Sequence, residues 1–313
     1  LFPETRRIIM EHAIESVDLV KCYGARKALD RLTLCVPRFA MLGLIGPNGA
    51  GKTTWMMSVA GFLHLESGTV NLLGGGPFDP SVHAGRITIL PQDSELPLES
   101  RPLELLTHYG LLQGLAPQEA TRSASAMLEE VHLGDRLNSP IRSLSPGMRK
   151  RVMIAQCFIG YPEVVLLDEP LSGLDPREVA HMREFLTRRR GRQTLVISSH
   201  NLHDIEVMCD HVAFIENGRT VRVSTLEEMV GKASTLVYLL TAEPSDYGTL
   251  TMALPDVTFT FDVATSSLAC RYNPRHATAE AINGVLLPVL LPQCGVISVM
   301  RGASLETEYL KNL

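Results

Sequence analysis

The sequence predicts an α/β fold organised around a phosphate-binding loop and followed by a smaller α+β domain, and three observations carry that expectation. Residues Leu44 to Trp55 read LIGPNGAGKTTW and fit G-x-x-x-x-G-K-[ST], with Gly46, Gly51, Lys52 and Thr53 at the fixed positions. Up to Val223, short continuous apolar runs alternate with helical patterns, the signature of parallel strands buried on both faces. Beyond Val223 the order changes to β-α-β-β-α-β, which fits a ferredoxin-like unit.

A chain of 313 residues has room for about two domains at roughly 100–200 residues each. It is 45% hydrophobic and 20% charged with a formal net charge of −5, so its electrostatics give no reason to expect nucleic acid as a partner. The six cysteines are scattered without a C-x-x-C pair, which favours reduced thiols over a zinc site or a disulfide framework. Residues 1–11 read as an N-terminal arm and not as a signal peptide, because they hold arginines but no apolar core. The apolar stretch Ile282 to Met300 is expected to be split by Pro288 and Pro292 into a helix and a strand, too short for a membrane span.

Ala40 to Ile45 is apolar and predicts a buried strand, and Thr53 to Ala60 continues as a helix free of Gly and Pro. The turn between them, Gly46, Pro47, Asn48, Gly49, Ala50 and Gly51, is expected to aim backbone N–H groups and a helix N-terminus at a phosphate. Lys52 would reach the terminal phosphates, Thr53 would hold magnesium, and Thr54 continues the binding turn. A strand over Ile87 to Leu90 precedes Gln92, and the segment from Pro97 to Asn138 is helical in pattern. In RSLSPGMRKRVMIAQ, Ser145 is a good N-cap, Pro146 suits the first helical position, and apolar residues follow.

Val164 to Leu167 predicts a strand that delivers Asp168 and Glu169 to its C-terminal end, the edge at which open α/β sheets bind ligands. Asp168 suits a magnesium ion, which prefers hard oxygen, and Glu169 suits orienting or deprotonating a water. Leu195 to Ser199 predicts another strand, closed by His200. Arg188 to Arg190 read as the cationic last turn of a helix capped by Gly191, and His181, His203 and His211 as surface or packing residues.

Together these motifs resemble the ATP-binding cassette (ABC) ATPases, over about Ala13 to Val223. The family signature L-S-G-G-Q is matched at three of five positions by Leu144, Ser145, Pro146, Gly147 and Met148. Taken singly, Tyr23 is an ordinary packed aromatic, Gln92 a surface amide and His200 a solvent-facing imidazole; the ordered set is what carries the resemblance. It implies that Tyr23 stacks on adenine, that Gln92 joins the magnesium site to a mobile helical insert, that Asp175 in SGLD links two protomers, and that His200 contacts the γ-phosphate.

The resemblance implies a P-loop NTPase core with an antiparallel β subdomain and an α-helical subdomain. The expected domains are a nucleotide-binding domain over 12–223, with its helical part at about 97–160, a linker over 224–233 and an accessory domain over 234–313. It further implies an ATPase that dimerises head-to-tail around two Mg-ATP. Each ATP would meet Lys52, Thr53, Gln92, Asp168, Glu169 and His200 of one chain and Ser145 and Gly147 of the other. The cofactors are ATP and magnesium, and the partners a second protomer and a transmembrane permease that holds the protein at the cytoplasmic face of the membrane.

Two departures matter. Pro146 removes one N–H from the signature, and Met148 resembles exporter subunits whose permease is a separate polypeptide, as does the ending ASLETEYLKNL. The competing function is a soluble cassette ATPase not coupled to transport. Such relatives carry a long coiled coil, zinc cysteines or two cassettes, and this sequence shows none of them.

Overall fold

A computed structural model describes residues 11–230, 234–272 and 277–301. Residues 1–10 of the expected arm over 1–11, and the ending at Ala303 to Leu313, lie outside the described residues. Contacts divide the chain into two compact units, Leu1–Ser224 and Thr225–Leu313.

The first unit opens with a hairpin, β1 (His12–Tyr23) and β2 (Arg26–Pro37), and continues through β3 (Met41–Ile45), α1 (Lys52–Val59), β4 (Ser67–Leu72), α2 (Pro80–His83) and β5 (Ile87–Leu90). Then come α3 (Pro102–Leu112), α4 (Pro117–Glu130), α5 (Pro146–Gln156), β6 (Val164–Leu167), α6 (Pro176–Thr187), β7 (Thr194–Ser198) and α7 (Leu202–Met208). The hairpin β8 (His211–Glu216) and β9 (Arg219–Thr225) turns at Asn217 and Gly218, both at positive φ, the conformation that suits the twist of paired strands. Helices α2 to α6 each begin with proline, whose fixed φ and missing N–H cost nothing in the first turn.

Two sheets flank α1. The antiparallel one has the order β2-β1-β4, and the six-stranded one the order β5-β6-β7-β3-β8-β9. Strands β5, β6, β7, β3 and β8 pair in parallel, and β3, β6 and β7 are buried at every residue, which is why they read as unbroken apolar runs. Trp55, Met56 and Val59 of α1 are buried in a core shared with both sheets. The Trp55 indole N–H donates to Ser16 Oγ at 3.0 Å, so the helix that follows the phosphate loop is fixed to β1 as well as to β3. Apolar side chains of this kind contribute about 1.5–3 kcal/mol each when fully buried.

The expected helix end at Arg188 to Arg190 is corrected. Helix α6 stops at Thr187, and Arg189 turns inward, with its guanidinium carbon 3.6 Å from the Phe185 ring centre and 4.5 Å from that of Phe158. Two aromatic faces and Glu130, at 2.9 Å, compensate the charge, although burial still lowers the Arg189 pKa.

The second unit contains α8 (Leu226–Val230), β10 (Ser234–Leu240), α9 (Tyr247–Ala253), β11 (Thr258–Asp262), β12 (Ser267–Tyr272), α10 (Ala279–Cys294) and β13 (Val296–Arg301). Strands β10 to β13 form an antiparallel sheet in the order β11-β12-β10-β13, so each α-crossover skips one strand, as a ferredoxin-like unit requires. Within the stretch read as a linker over 224–233, the end of β9 is followed by the short helix α8.

The expected helix and strand are both present: α10 runs through Pro288 and on past Pro292 to Cys294, Gly295 ends it with a φ of +58°, and β13 follows. Gly284, Pro288 and Pro292 lie four residues apart on the exposed face, so the carbonyls that lose an N–H partner are Gly284 and Pro288, on the face open to water. Ile282, Leu286, Leu290 and Cys294 form the buried row opposite. Among the described residues no helix is long and apolar enough to cross a membrane.

Candidate functional site

The C-terminal ends of β3, β6 and β7 converge on an open cleft of about 620 Å³. Of the residues expected to bind nucleotide or metal, Tyr23, Asn48, Gly49, Gly51, Lys52, Thr53, Thr54, Gln92, Asp168, Glu169 and His200 line it. Gly46, Pro47 and Ala50 complete the loop without lining the cleft. Gly46 is there for packing: a Cβ on it would stand 2.1 Å from the Ile215 carbonyl oxygen of β8. Gly49 and Gly51 hold φ of +79° and +113°, which only glycine adopts without strain, and this bends the loop between β3 and α1.

Lys52 follows the loop as the first residue of α1 and is buried. Its ammonium donates to the carbonyl oxygens of Gly46 and Pro47 at 2.6 and 3.2 Å. Desolvation lowers its pKa, against the opposing effect of the Glu169 and Asp168 carboxylates. One residue on, Thr53 Oγ1 donates to Asp168 Oδ2 at 2.5 Å. A hydroxyl and a carboxylate in contact, on a cleft beside a phosphate loop, form a hard-oxygen donor pair of the kind that suits a magnesium ion.

Asp168 and Glu169 are both buried, and Ser198 at the end of β7 ties them together. Ser198 Oγ accepts from the Glu169 backbone N–H at 2.8 Å and donates to Asp168 Oδ1. Glu169 holds a φ of +48°, a left-handed conformation unusual for a residue with a side chain, and Ser198 is the contact that fixes it. The Glu169 carboxylate meets His200 Nδ1 at 2.8 Å. A buried carboxylate facing a cleft and held at one oxygen by an imidazole can orient a water or take a proton from it.

Three groups at this site escaped the sequence reading. Ser198 ends β7 two residues before His200, and that closeness in the chain is the signal available for it. Ser172 also lines the cleft. Arg26 donates from Nη2 to the Gly49 carbonyl at 2.8 Å and lies against the loop beside the half-exposed Tyr23. Nothing local in YGARK marks Arg26, because its partner is 23 residues away.

Ser145, Gly147 and Asp175 do not line this cleft. Ser145 caps α5 by accepting from the Met148 N–H at 3.1 Å, and Arg149 N–H bonds to the Ser145 carbonyl at 2.9 Å. Pro146 has no N–H, so the first turn of α5 retains the Gly147 N–H without a partner among the described residues. Asp175 caps α6, its carboxylate accepting from the N–H groups of Arg177 and Glu178, both at 2.9 Å.

Known proteins resemble this chain in sequence and in fold. The profile of the ABC transporter family matches residues 29–172. An uncharacterized ABC transporter ATP-binding protein of Methanocaldococcus jannaschii is 31% identical over 232 residues, covering 74% of this chain and 84% of that protein. The Nod factor export ATP-binding protein I of Ralstonia nicotianae is 32% identical over 214 residues, 68% of this chain and 67% of the relative. Among solved structures, an ATP-binding subunit of an ABC transporter superposes with a TM-score of 0.63 at 29% identity, over 69% of this chain and 91% of its own. A dimeric ATP-binding cassette bound to ADP and Pi in a post-hydrolysis state shares the fold, with a TM-score of 0.63 at 19% identity over 68% of this chain and 98% of its own.

Proposed function

The chain belongs to the ABC transporter family as an ATP-binding, ATP-hydrolysing subunit, and from that premise we propose that it dimerises head-to-tail around two Mg-ATP to drive a separate transmembrane permease, in the direction of export. The observation that carries the site assignment is the linked pair of acids under the phosphate loop, Thr53–Asp168–Ser198 and Ser198–Glu169–His200.

In this reading the loop from Gly46 to Gly51 cradles the phosphates, Lys52 leaves its own carbonyl partners for the β- and γ-phosphates, and Tyr23 stacks on adenine. Thr53, Asp168 and Gln92 would hold magnesium, which when bound supplies neutralisation of charge on the phosphate oxygens. Glu169 orients the attacking water and accepts its proton, and His200 holds that carboxylate and reaches the γ-phosphate. Phosphoryl transfer asks mainly for positioning and charge stabilisation, so fixing Glu169 by Ser198 and His200 is the chain's own contribution to rate.

Ser145 and Gly147 lie away from the cleft, which suits a site completed by a second protomer, with Asp175 at the interface between the two. A dimeric cassette with ADP and Pi among the structural neighbours supports that arrangement, and the Nod factor export relative supports export. Helices α3 and α4, together with Gln92, are the surface we assign to the permease, which would hold the subunit at the cytoplasmic face of the membrane.

Glu169→Gln tests the assignment. Nucleotide affinity should stay within about twofold of the parent while steady-state ATP hydrolysis falls by roughly a hundredfold or more, the usual scale for losing a general base. Normal turnover in that variant would overturn the role given to Glu169. Co-purification with a multi-span protein from detergent checks the permease.

A further inference from the structure

Asp175 and Gly147 belong to different elements, yet one side chain touches both of their surroundings. Glu178 sits in the first turn of α6 and forms a capping box with Asp175, its carboxylate reaching back to the Asp175 N–H at 3.5 Å. The same carboxylate lies against Gly147 so closely that a Cβ there would stand 2.1 Å from Oε2 and 2.6 Å from Oε1.

Arg151, one helical turn beyond Gly147, is buried and directs Nη2 to Glu178 Oε1 at 3.3 Å. Its Nη1 donates to the carbonyl oxygens of Val131 and His132 at 2.8 and 3.3 Å, just past the C-terminus of α4. The charges agree with the helix dipoles, a carboxylate at the start of α6 and a guanidinium at the end of α4. A carboxylate packed against Gly147 would by itself oppose an anion there, and Arg151 offsets that charge.

We infer that Glu178 is a positioning residue that fixes the signature turn at Ser145 to Gly147 and the Asp175 turn at one spacing, so that both surfaces meet a partner protomer as a single rigid face. The inference rests on the sandwich dimer proposed above. Glu178 touches neither the cleft nor, in that reading, the nucleotide. It acts on closure of the dimer and not on capture of ATP by the phosphate loop.

The test uses the full chain in the Glu169→Gln background, with ATP-driven dimerisation followed by sedimentation and monomer affinity by a fluorescent ATP analogue. Glu178→Ala removes the contact, and Glu178→Asp keeps the charge but withdraws it by one methylene. Glu178→Gln keeps the reach and the acceptor for the Asp175 N–H. The Ala and Asp variants should need about tenfold more ATP for half-dimerisation with monomer affinity within about twofold, and Gln should stay within about threefold of the parent. The Asp variant keeps a carboxylate in the first turn of α6 and carries the test if the Ala variant does not fold. Parental dimerisation in the Asp or Ala variant overturns the inference, as does an equal loss in dimerisation and monomer affinity. If the Glu169→Gln parent itself stays monomeric with saturating ATP, the sandwich reading fails and this inference falls with it.

Discussion

At the scale of single residues, Ser198 has the largest consequence for its size. One hydroxyl accepts from the Glu169 backbone and donates to Asp168, so it fixes two acids whose roles would differ by an ångström of placement. Removing it leaves a buried N–H and a buried carboxylate oxygen each short of a partner, and frees Glu169 from the contact that holds its left-handed backbone. Ser198→Ala is therefore expected to lower kcat by about tenfold or more, with KM for ATP nearly unchanged, since no phosphate contact is assigned to Ser198. A variant with raised KM and intact kcat would show that Ser198 serves binding instead.

Lys52 shows the opposite balance. Burial lowers its pKa, so a proton is lost from the folded chain before the unfolded one, and the cost of holding the charge is present at neutral pH and relieved as the pH rises toward 10.5. The charge is kept in the cleft at the expense of stability, which is expected where function needs it.

At the scale of elements, α10 separates local propensity from packing. A proline inside a helix costs about 3 kcal/mol relative to alanine, and α10 carries two. It persists because Ile282, Leu286, Leu290 and Cys294 bury one face and both prolines stand on the other, with water available to the freed carbonyls. Replacing Pro288 by alanine restores an N–H to the Gly284 carbonyl and should stabilise the second unit by about 1–3 kcal/mol. The measurement is the denaturant midpoint of that unit's transition in the full chain. No gain would mean that the helix is strained elsewhere. Arg189 makes a related point about α6, where three successive arginines suggest a solvated helix end and aromatic packing takes the middle one inside.

At the scale of the whole molecule, two compact units carry separate cores, one built on Trp55 and the two sheets of the first unit, the other on Tyr238 and α10. The nucleotide cleft is lined from the first unit alone. Ligand binding stabilises whatever it binds, by about 2.7 kcal/mol at a hundred times Kd. Calorimetry of the full chain with Mg-ATP should therefore raise the transition of the first unit by roughly 5–10 °C and leave that of the second unchanged. A shift of both together would show that the two units unfold as one.

The strand, loop and helix over 41–59 were legible in the sequence because their physics is local: an apolar run, glycines at positive φ and a helix start within one segment. The β-α-β-β-α-β order was legible for the same reason, since alternation and turn residues punctuate each element. Asp168, Glu169 and His200 could be nominated by their places at strand ends, and the parallel sheet then brings those ends to one edge. Only the tertiary structure decided the contacts between distant segments. Arg26 meets Gly49 and Ser198 meets Asp168 across the fold, Glu178 meets Gly147 between two helices, and the prolines of α10 are tolerated because of the face they occupy. Such contacts depend on where the whole chain places two elements, and no window of neighbouring residues contains that information.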